Sequence, residues 1–202
     1  MALLSASPPP AAADGAAAAL IARLARPAPA TTPYAEVRFV HLLRRPIVLH
    51  GDLEYGGADH LGKRVDVPYH ETTTIAGGDV KVQREGRAPR QFALDRAPQL
   101  QALLASFSAL LGGDAAKLQK YYTIALVENA STWTLTLTPK DGELARHLRN
   151  IVVDGAAGEP RCFAMTEGNG DASVMLIGAL AAARLPDPPT ATALSTLCHA
   201  AP

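Results

Sequence analysis

The stretch that decides the fold reads Thr132-Trp133-Thr134-Leu135-Thr136-Leu137-Thr138-Pro139. Large apolar side chains alternate with threonines, which is the two-residue period of a β-strand with one apolar and one polar face. Such a strand is typical of an antiparallel sheet with one covered or ligand-facing side. The stretch therefore predicts a one-sided sheet, and the question becomes what its apolar face is for.

The same alternation recurs along most of the chain and predicts roughly ten strands separated by turns that contain glycine or proline. A helical period interrupts it, because Leu100, Leu103, Leu104, Phe107, Leu110 and Leu111 follow i, i+3, i+4, i+7 spacing. Shorter helices are predicted over 15–25, 115–121 and 191–198. The pattern predicts a mainly β, α+β fold: an antiparallel meander curved into a barrel or half-barrel, with helices as a plug or lid over its concave face.

Length and composition fit one domain with a sizeable core, since 48% of the 202 residues are hydrophobic. Residues 1–13 are rich in proline and alanine, and we expect them to be disordered or a remnant of processing, with a single domain over 14–202. Lys+Arg and Asp+Glu are both 19, so the formal net charge is zero. This balance argues against nucleic acid as a partner, because phosphate binding selects for a basic excess.

Targeting signals are weak in this sequence. No apolar run approaches the ~20 residues that a membrane-spanning helix needs. The N-terminus lacks the basic region and the long apolar stretch of a secretory signal. We expect a mature chain from which a signal peptide has been removed, with a cytosolic protein as the alternative.

The two cysteines, Cys162 and Cys198, have neither metal-ligand spacing nor CxxC spacing. They either form one disulfide in an oxidising compartment or remain two unrelated thiols. The residues alone leave both alternatives open.

Candidate catalytic residues are few. His50 and Asp52 lie two apart on one face of a predicted strand, and a His/carboxylate pair of this kind occurs in metal sites. The sequence contains no HExxH, GxSxG, P-loop or GxGxxG motif, however. We therefore expect solvent-facing histidines, no metal, no cofactor, no catalytic residues and a protein that is not an enzyme.

The apolar stripe of the mid-chain helix allows two interpretations. It packs as ordinary core, or it lines a cavity that opens for an acyl chain. Periodicity does not separate the two, because core and cavity use the same residue types.

Three segments bear on that choice. They are Gly51-Asp52-Leu53 followed by a strand that ends at Pro68, the hairpin from Thr73 to Val80 around Gly77-Gly78, and Leu135-Thr136-Leu137-Thr138-Pro139-Lys140. In this order and spacing, together with the leucine-rich helix and its Gly112-Gly113-Asp114 exit, the chain resembles the periplasmic lipoprotein carriers of the LolA/LolB family over most of residues 14–180. The resemblance implies an unclosed antiparallel β-barrel with a helical lid over an apolar cavity.

The resemblance also implies a function. It implies a periplasmic carrier or chaperone that binds acyl chains of a lipoprotein or other acylated lipid and shuttles the cargo toward the outer membrane. The implied partners are this cargo, an inner-membrane exporter and an outer-membrane acceptor, and the carrier is expected to be a monomer. A non-catalytic adaptor module for a membrane exporter is the alternative. A periplasmic address further implies a Cys162–Cys198 disulfide, because that compartment oxidises paired thiols.

One departure from the family pattern is visible. The loop Tyr55-Gly56-Gly57-Ala58 lacks the basic residue with which the family's carriers help to hold the lid. We therefore expect a divergent member whose cargo is a different acylated molecule. The residues expected to line its cavity are Val37, Phe39, Leu53, Tyr55, Trp133, Leu135 and Leu137 from the strands, and Leu103, Leu104 and Phe107 from the lid.

Overall fold

The fold is taken from a computed structural model, in which the described residues are 10–96 and 98–200. The side chains at 10–14, 98–100, 102 and 103 lie outside that description. Residues 1–9, part of the segment expected to be disordered, lie outside it as well. The first helix begins at Pro10, five residues before the helix expected from the sequence.

The strands form one antiparallel sheet in the order β6-β5-β4-β3-β2-β1-β11-β10-β9-β8-β7. Their bounds are β1 Ala30–Phe39, β2 Ile47–Gly57, β3 His60–Val67, β4 Glu71–Ala76, β5 Asp79–Arg84, β6 Arg90–Ala93, β7 Tyr122–Glu128, β8 Thr132–Pro139, β9 Leu148–Ala156, β10 Glu159–Glu167 and β11 Ala172–Ile177. β6 and β7 are the two edges, so the sheet is an unclosed barrel, which confirms the expected fold class.

Five α-helices accompany the sheet within the described residues: α1 Pro10–Arg23, α2 Pro98–Leu111, α3 Ala115–Tyr121, α4 Gly142–His147 and α5 Ala191–His199. α3 lies where the sequence predicts it. α4 is not among the helices predicted from the sequence. The Asp141 carboxylate caps it by accepting hydrogen bonds from the backbone N–H groups of Glu143 and Leu144 at 2.9 Å. A six-residue helix is too short to show a helical period.

The chain path explains where α2 lies. β1 and β11 pair at the centre of the sheet, and the strand order runs outward from them to the edges β6 and β7. The segment that connects these edges contains α2 and α3. It therefore has to cross from one edge to the other, and α2 lies across the sheet.

Strand register divides the side chains between two faces, because directly opposite residues of antiparallel strands point to the same side. We call the face that packs against α1 and α2 the inner face. Leu20, Ile21 and Leu24 of α1 and Leu110 of α2 pack there against strand residues that include Leu135 and Val153. A second core lies on the opposite, outer face, where Leu194 and Cys198 of α5 pack on β1, β10 and β11.

Candidate functional site

The inner face of strands β7 to β10 is a continuous apolar wall. Its members are Ile124, Leu126, Trp133, Leu135, Leu137, Ile151, Val153 and Phe163. Trp133 is 5% exposed and lies over Gly155, where an added Cβ would come 2.1 Å from the indole Cζ2 and 2.4 Å from the Glu159 carbonyl oxygen. Only glycine leaves room for the indole at this point of the wall.

Helix α2 covers this wall and the neighbouring strands. The Phe107 ring contacts the Phe163 ring of β10 edge to face, with 5.2 Å between centroids. Leu104 packs at the other side of the inner face, in one cluster with Ile75 of β4 and Val80 of β5. The amphipathic stripe predicted from the sequence therefore spans the inner face from β4 to β10.

Hydrogen bonds join α2 to β7 and to the segment after α1. The Ser106 hydroxyl donates to the Tyr122 hydroxyl on β7 at 2.8 Å, in a fully buried contact. The backbone N–H of Arg26, just after α1, donates to the Leu111 carbonyl at 2.7 Å. Burial raises the pKa of Tyr122, and the Ser106 hydrogen bond partly offsets this, so the hydroxyl stays neutral.

The turn after α2 lies close to α1. Gly113 has φ +72°, and an added Cβ there would lie 3.1 Å from the Ala25 methyl. Tyr55 lies beside this turn, since its hydroxyl is 3.7 Å from the place that a Cβ on Gly112 would take. The C-terminal end of α2 is thus held close to α1 and β2.

Little space remains between α2 and the wall. A cavity of about 10 Å³ is lined by Ser106, Phe107, Leu110, Leu137, Ile151, Val153 and Phe163. That is about the space of one water molecule. An acyl chain therefore does not fit between these α2 residues and β8 to β10 unless the helix moves.

Three buried polar atoms lack a hydrogen-bond partner within the described part of the chain: the Tyr34 hydroxyl, the Ser108 hydroxyl and the Trp133 indole nitrogen. Each such atom costs about 1–3 kcal/mol relative to a satisfied one. Tyr34 and Trp133 belong to the inner core, and Ser108 is on α2.

Charged side chains lie on the inner face of β1 and β3. We call Glu36, Arg38 and Lys63 the inner charge cluster. The Glu36 carboxylate, 4% exposed, accepts hydrogen bonds from Arg38 Nε at 2.9 Å and Nη2 at 3.3 Å, and from Lys63 Nζ. Burial raises the pKa of the Glu36 carboxyl, but Lys63 and Arg38 outweigh it and hold that pKa below its usual range. Burial lowers the pKa of the Lys63 ammonium, and the Glu36 charge opposes that.

This cluster corrects the sequence prediction for β1. Val37 and Phe39 were expected in the cavity wall, but they pack on the outer face with the α5 cluster. Tyr34, Glu36 and Arg38 take the inner positions instead. Alternation along β1 is real, but it does not say which face is inside, and α5 makes the outer face apolar here. Glu36 lies opposite the inner residue Leu49 of β2, which shows that Glu36 is on the inner face. This pairing depends on the register of two strands and cannot be derived from the sequence of β1 alone.

The other expected wall residues divide as follows. Trp133, Leu135, Leu137, Leu53, Tyr55, Leu104 and Phe107 lie on the inner side, in contact with the sheet face or with α2. The side chain of Leu103 lies outside the described residues. Binding of a ligand by any of these residues stays a prediction.

The expected disulfide is present. Cys162 of β10 and Cys198 of α5 are bonded, and they tie α5 to the outer face. The His199 Nε2 lies 3.1 Å from the buried Asp154 carboxylate on β9, which adds a second tie.

The outer face also brings Ser195, His199 and Asp154 together, in the combination that serine hydrolases use. The His199 Nδ1 is 2.7 Å from the Ser195 carbonyl oxygen and 3.3 Å from its hydroxyl. A carbonyl only accepts, so Nδ1 carries a proton and is not placed to take one from the hydroxyl. The three residues therefore attach α5 to β9 and are not arranged as a nucleophile with its general base.

The predicted His50–Asp52 pair is not joined either, because Asp52 pairs with Arg64. Among the described residues no group of three histidine, cysteine or carboxylate side chains is arranged to hold a metal ion. None of the helices in residues 10–96 and 98–200 combines the length and apolar character needed to cross a membrane.

Comparison with known structures returns several proteins of low sequence identity. A LolA superfamily protein from Nitrosomonas europaea is 14% identical, with 87% of this chain and 96% of that chain covered at a TM-score of 0.45. LprF from Mycobacterium bovis is 9% identical, with 92% and 100% covered at 0.39. A putative outer membrane lipoprotein-sorting protein domain from Vibrio parahaemolyticus is 8% identical, with 81% and 91% covered at 0.36.

Comparison with curated protein sequences returns no significant match. The family model described as "Outer membrane lipoprotein carrier protein LolA-like" matches residues 7–201. Since this match spans almost the whole sequence, the chain belongs to the LolA-like outer membrane lipoprotein carrier family, as a divergent member.

Proposed function

We propose that the protein is a carrier that binds an acyl chain of a lipoprotein or other acylated lipid between its sheet and α2, and shuttles this cargo toward the outer membrane. One observation carries the proposal. The apolar inner wall is covered by a separate helix that bridges the two sheet edges, and its side chains occupy the place that an acyl chain would take. Family membership supports the same assignment.

The exchange of helix for cargo is energetically reasonable. Lifting α2 off the sheet forfeits about 1.5–3 kcal/mol for each fully buried side chain, such as Leu104 and Leu110, and less for the partly buried Phe107. An acyl chain with about twelve methylenes gains about 0.8 kcal/mol for each one buried, or about 10 kcal/mol. The cargo therefore compensates for the contacts that α2 gives up, while the closed form protects the wall from water when no cargo is bound.

We place the carrier in the periplasm. The Cys162–Cys198 disulfide supports this assignment, because disulfides persist in oxidising compartments. An inner-membrane exporter as donor, an outer-membrane acceptor and a monomeric carrier complete the proposal. No catalytic step is part of it.

The test is acyl-chain binding by delipidated protein, followed through Trp133, the single tryptophan of the chain. A long-chain fatty acid should change the Trp133 emission saturably, and native mass spectrometry of freshly purified protein should detect a bound acylated molecule. Leu104→Asp places a charge in the groove and should abolish binding with little change in far-UV circular dichroism. Val127→Asp, on an exposed position of the edge strand β7, is the matched control and should bind normally.

Two results would contradict the proposal. One is the absence of acyl binding by the unaltered protein, particularly if an exporter's periplasmic domain still binds, which would favour the adaptor function. The other is unchanged binding in Leu104→Asp, which would place the acyl chain elsewhere.

A further inference from the structure

The inner charge cluster carries one more positive than negative charge. Arg38 and Lys63 both bond to the single carboxylate of Glu36. The neighbouring inner pair, Glu71 and Arg84, lies 3.9 Å apart, and its two charges compensate each other. The buried carboxylate of Glu36 is thus surrounded by two cations, and the half-exposed Arg38 carries the positive charge that this carboxylate does not balance.

A buried donor lies next to this cluster. Tyr34 is 1% exposed, two residues from Glu36 on the same face of β1, and its hydroxyl has no hydrogen-bond partner in the described part of the chain. Lys63 Nζ lies 4.9 Å from the centre of its ring. Burial and the Glu36 charge raise the pKa of Tyr34, so the hydroxyl remains a neutral donor that lacks an acceptor.

The cluster is accessible from one side. Arg38 bonds Glu36 through Nε and Nη2, so its Nη1 is not used by that carboxylate. The Arg38 side chain is 42% exposed and lies near the end of β1, at the rim of the inner face. An anion can therefore reach Arg38 from solvent while the cluster stays intact.

Strand register connects the cluster to the apolar wall. Glu36 lies opposite Met175, Met175 opposite Phe163, Phe163 opposite Val153, and Val153 opposite Leu135. This row crosses four strand spacings, roughly 19 Å, along the inner face. One molecule can thus place a charged end at the Arg38 and Lys63 side chains around Glu36 and an apolar tail along the row to Leu135.

We propose that Tyr34, Arg38 and Lys63 bind the anionic group, a phosphate or carboxylate, of the acylated cargo, whose chain lies on the wall of β7 to β10. This inference rests on the proposed carrier function and deepens it. The anion accepts hydrogen bonds from the Tyr34 hydroxyl and from Arg38, and it balances the excess charge of the cluster. The cargo is accordingly an anionic acylated lipid.

The test compares dodecyl phosphate, dodecanol and inorganic phosphate, each measured by displacement of a fluorescent fatty-acid probe or by calorimetry. A charge-assisted hydrogen bond in a partly buried site favours the anion by about tenfold or more. We therefore expect the unaltered protein to bind dodecyl phosphate at least about tenfold more tightly than dodecanol, and inorganic phosphate far more weakly than dodecyl phosphate.

Two variants make the test specific. Arg38→Met should remove most of the preference for dodecyl phosphate. Arg64→Met is the control and should keep the preference, because Arg64 follows Lys63 in β3 and its side chain lies on the outer face, paired with Asp52 and Asp66. Tyr34→Phe removes only the unpartnered hydroxyl. It should leave the melting temperature of the unliganded protein unchanged or higher, and lower the preference severalfold.

The outcomes separate this inference from the carrier function. Equal affinity for dodecyl phosphate and dodecanol, or an undiminished preference in both Arg38→Met and Tyr34→Phe, overturns the anion site and leaves acyl binding in place. Tight binding of inorganic phosphate alone assigns the site to a free anion and overturns its assignment to cargo. Failure of every acyl ligand overturns the carrier function and this inference together.

Discussion

The hydrogen bond from Ser106 to Tyr122 is the part of the closed state that mutation can remove most cleanly. Tyr122→Phe deletes the hydroxyl that accepts this bond at 2.8 Å and keeps the fully buried ring. The bond joins α2 to β7 and exists only while the helix lies on the sheet. A buried hydrogen bond of this kind contributes about 1.5 kcal/mol, so we expect the closed form to lose about that much relative to an open form.

This loss has two consequences of opposite sign. A change of 1.4 kcal/mol is tenfold in an equilibrium constant, so opening becomes about tenfold more favourable and apparent acyl affinity rises by up to about tenfold. The unliganded protein becomes less stable, and its melting temperature falls by about 3–6 °C. A variant that is less stable yet binds more tightly is the signature of a helix that must leave its site before cargo enters.

The assay is a fatty-acid titration of Trp133 emission beside thermal unfolding followed by circular dichroism. Tyr121→Phe is the matched control, because Tyr121 is the adjacent residue and is 43% exposed. It should change neither quantity. The reasoning is refuted if Tyr122→Phe lowers the melting temperature while acyl affinity falls or stays the same, since the chain would then bind without displacing α2.

Three further predictions concern the rest of the molecule. Gly155→Ala should destabilise the fold by about 3 kcal/mol and shift Trp133 emission to the red, because the new methyl meets both the indole and a backbone carbonyl; an unchanged emission spectrum would contradict the packing. The lowered pKa of Glu36 stabilises the fold above its unfolded pKa of about 4.3. Unfolding free energy should therefore fall as the pH drops from about 5 through the folded value, and this dependence should be weaker in Glu36→Gln. Reducing the disulfide, which spans 36 residues, should cost about 3–4 kcal/mol of stability but leave acyl affinity unchanged, because α5 packs on the outer face; a parallel loss of affinity would speak against two separate faces.

Several elements follow from local sequence. The alternation from Thr132 to Pro139 predicts β8, and the helical spacing between Leu100 and Leu111 predicts α2, because both periods arise from backbone geometry within one element. The inner placement of Trp133, Leu135 and Leu137 also follows, since threonines occupy the opposite face of this strand. The capped helix α4 was missed because its six residues contain less than two turns.

Which side of a strand faces the groove is not a local property. β1 has an apolar face at Val37 and Phe39 and a charged one at Glu36 and Arg38, and the sequence favours the apolar face as the inner one. The disulfide-linked helix α5 covers the apolar face from outside, and the charged face turns inward to meet Lys63 from β3. The orientation of β1 is therefore set by contacts with residues that are far away in the sequence, on α5 and on β3.

The sequence by itself determined most of the strands, the covering helix and the membership in the LolA-like lipoprotein carrier family. Only the tertiary structure decided that α2 packs on β8 to β10 with a cavity of about 10 Å³ between them, and that a charge cluster lies on the inner face. The physical reason is that periodicity records how each element is half buried, whereas burial against a particular neighbour depends on strand register and on the path that carries α2 from β6 to β7.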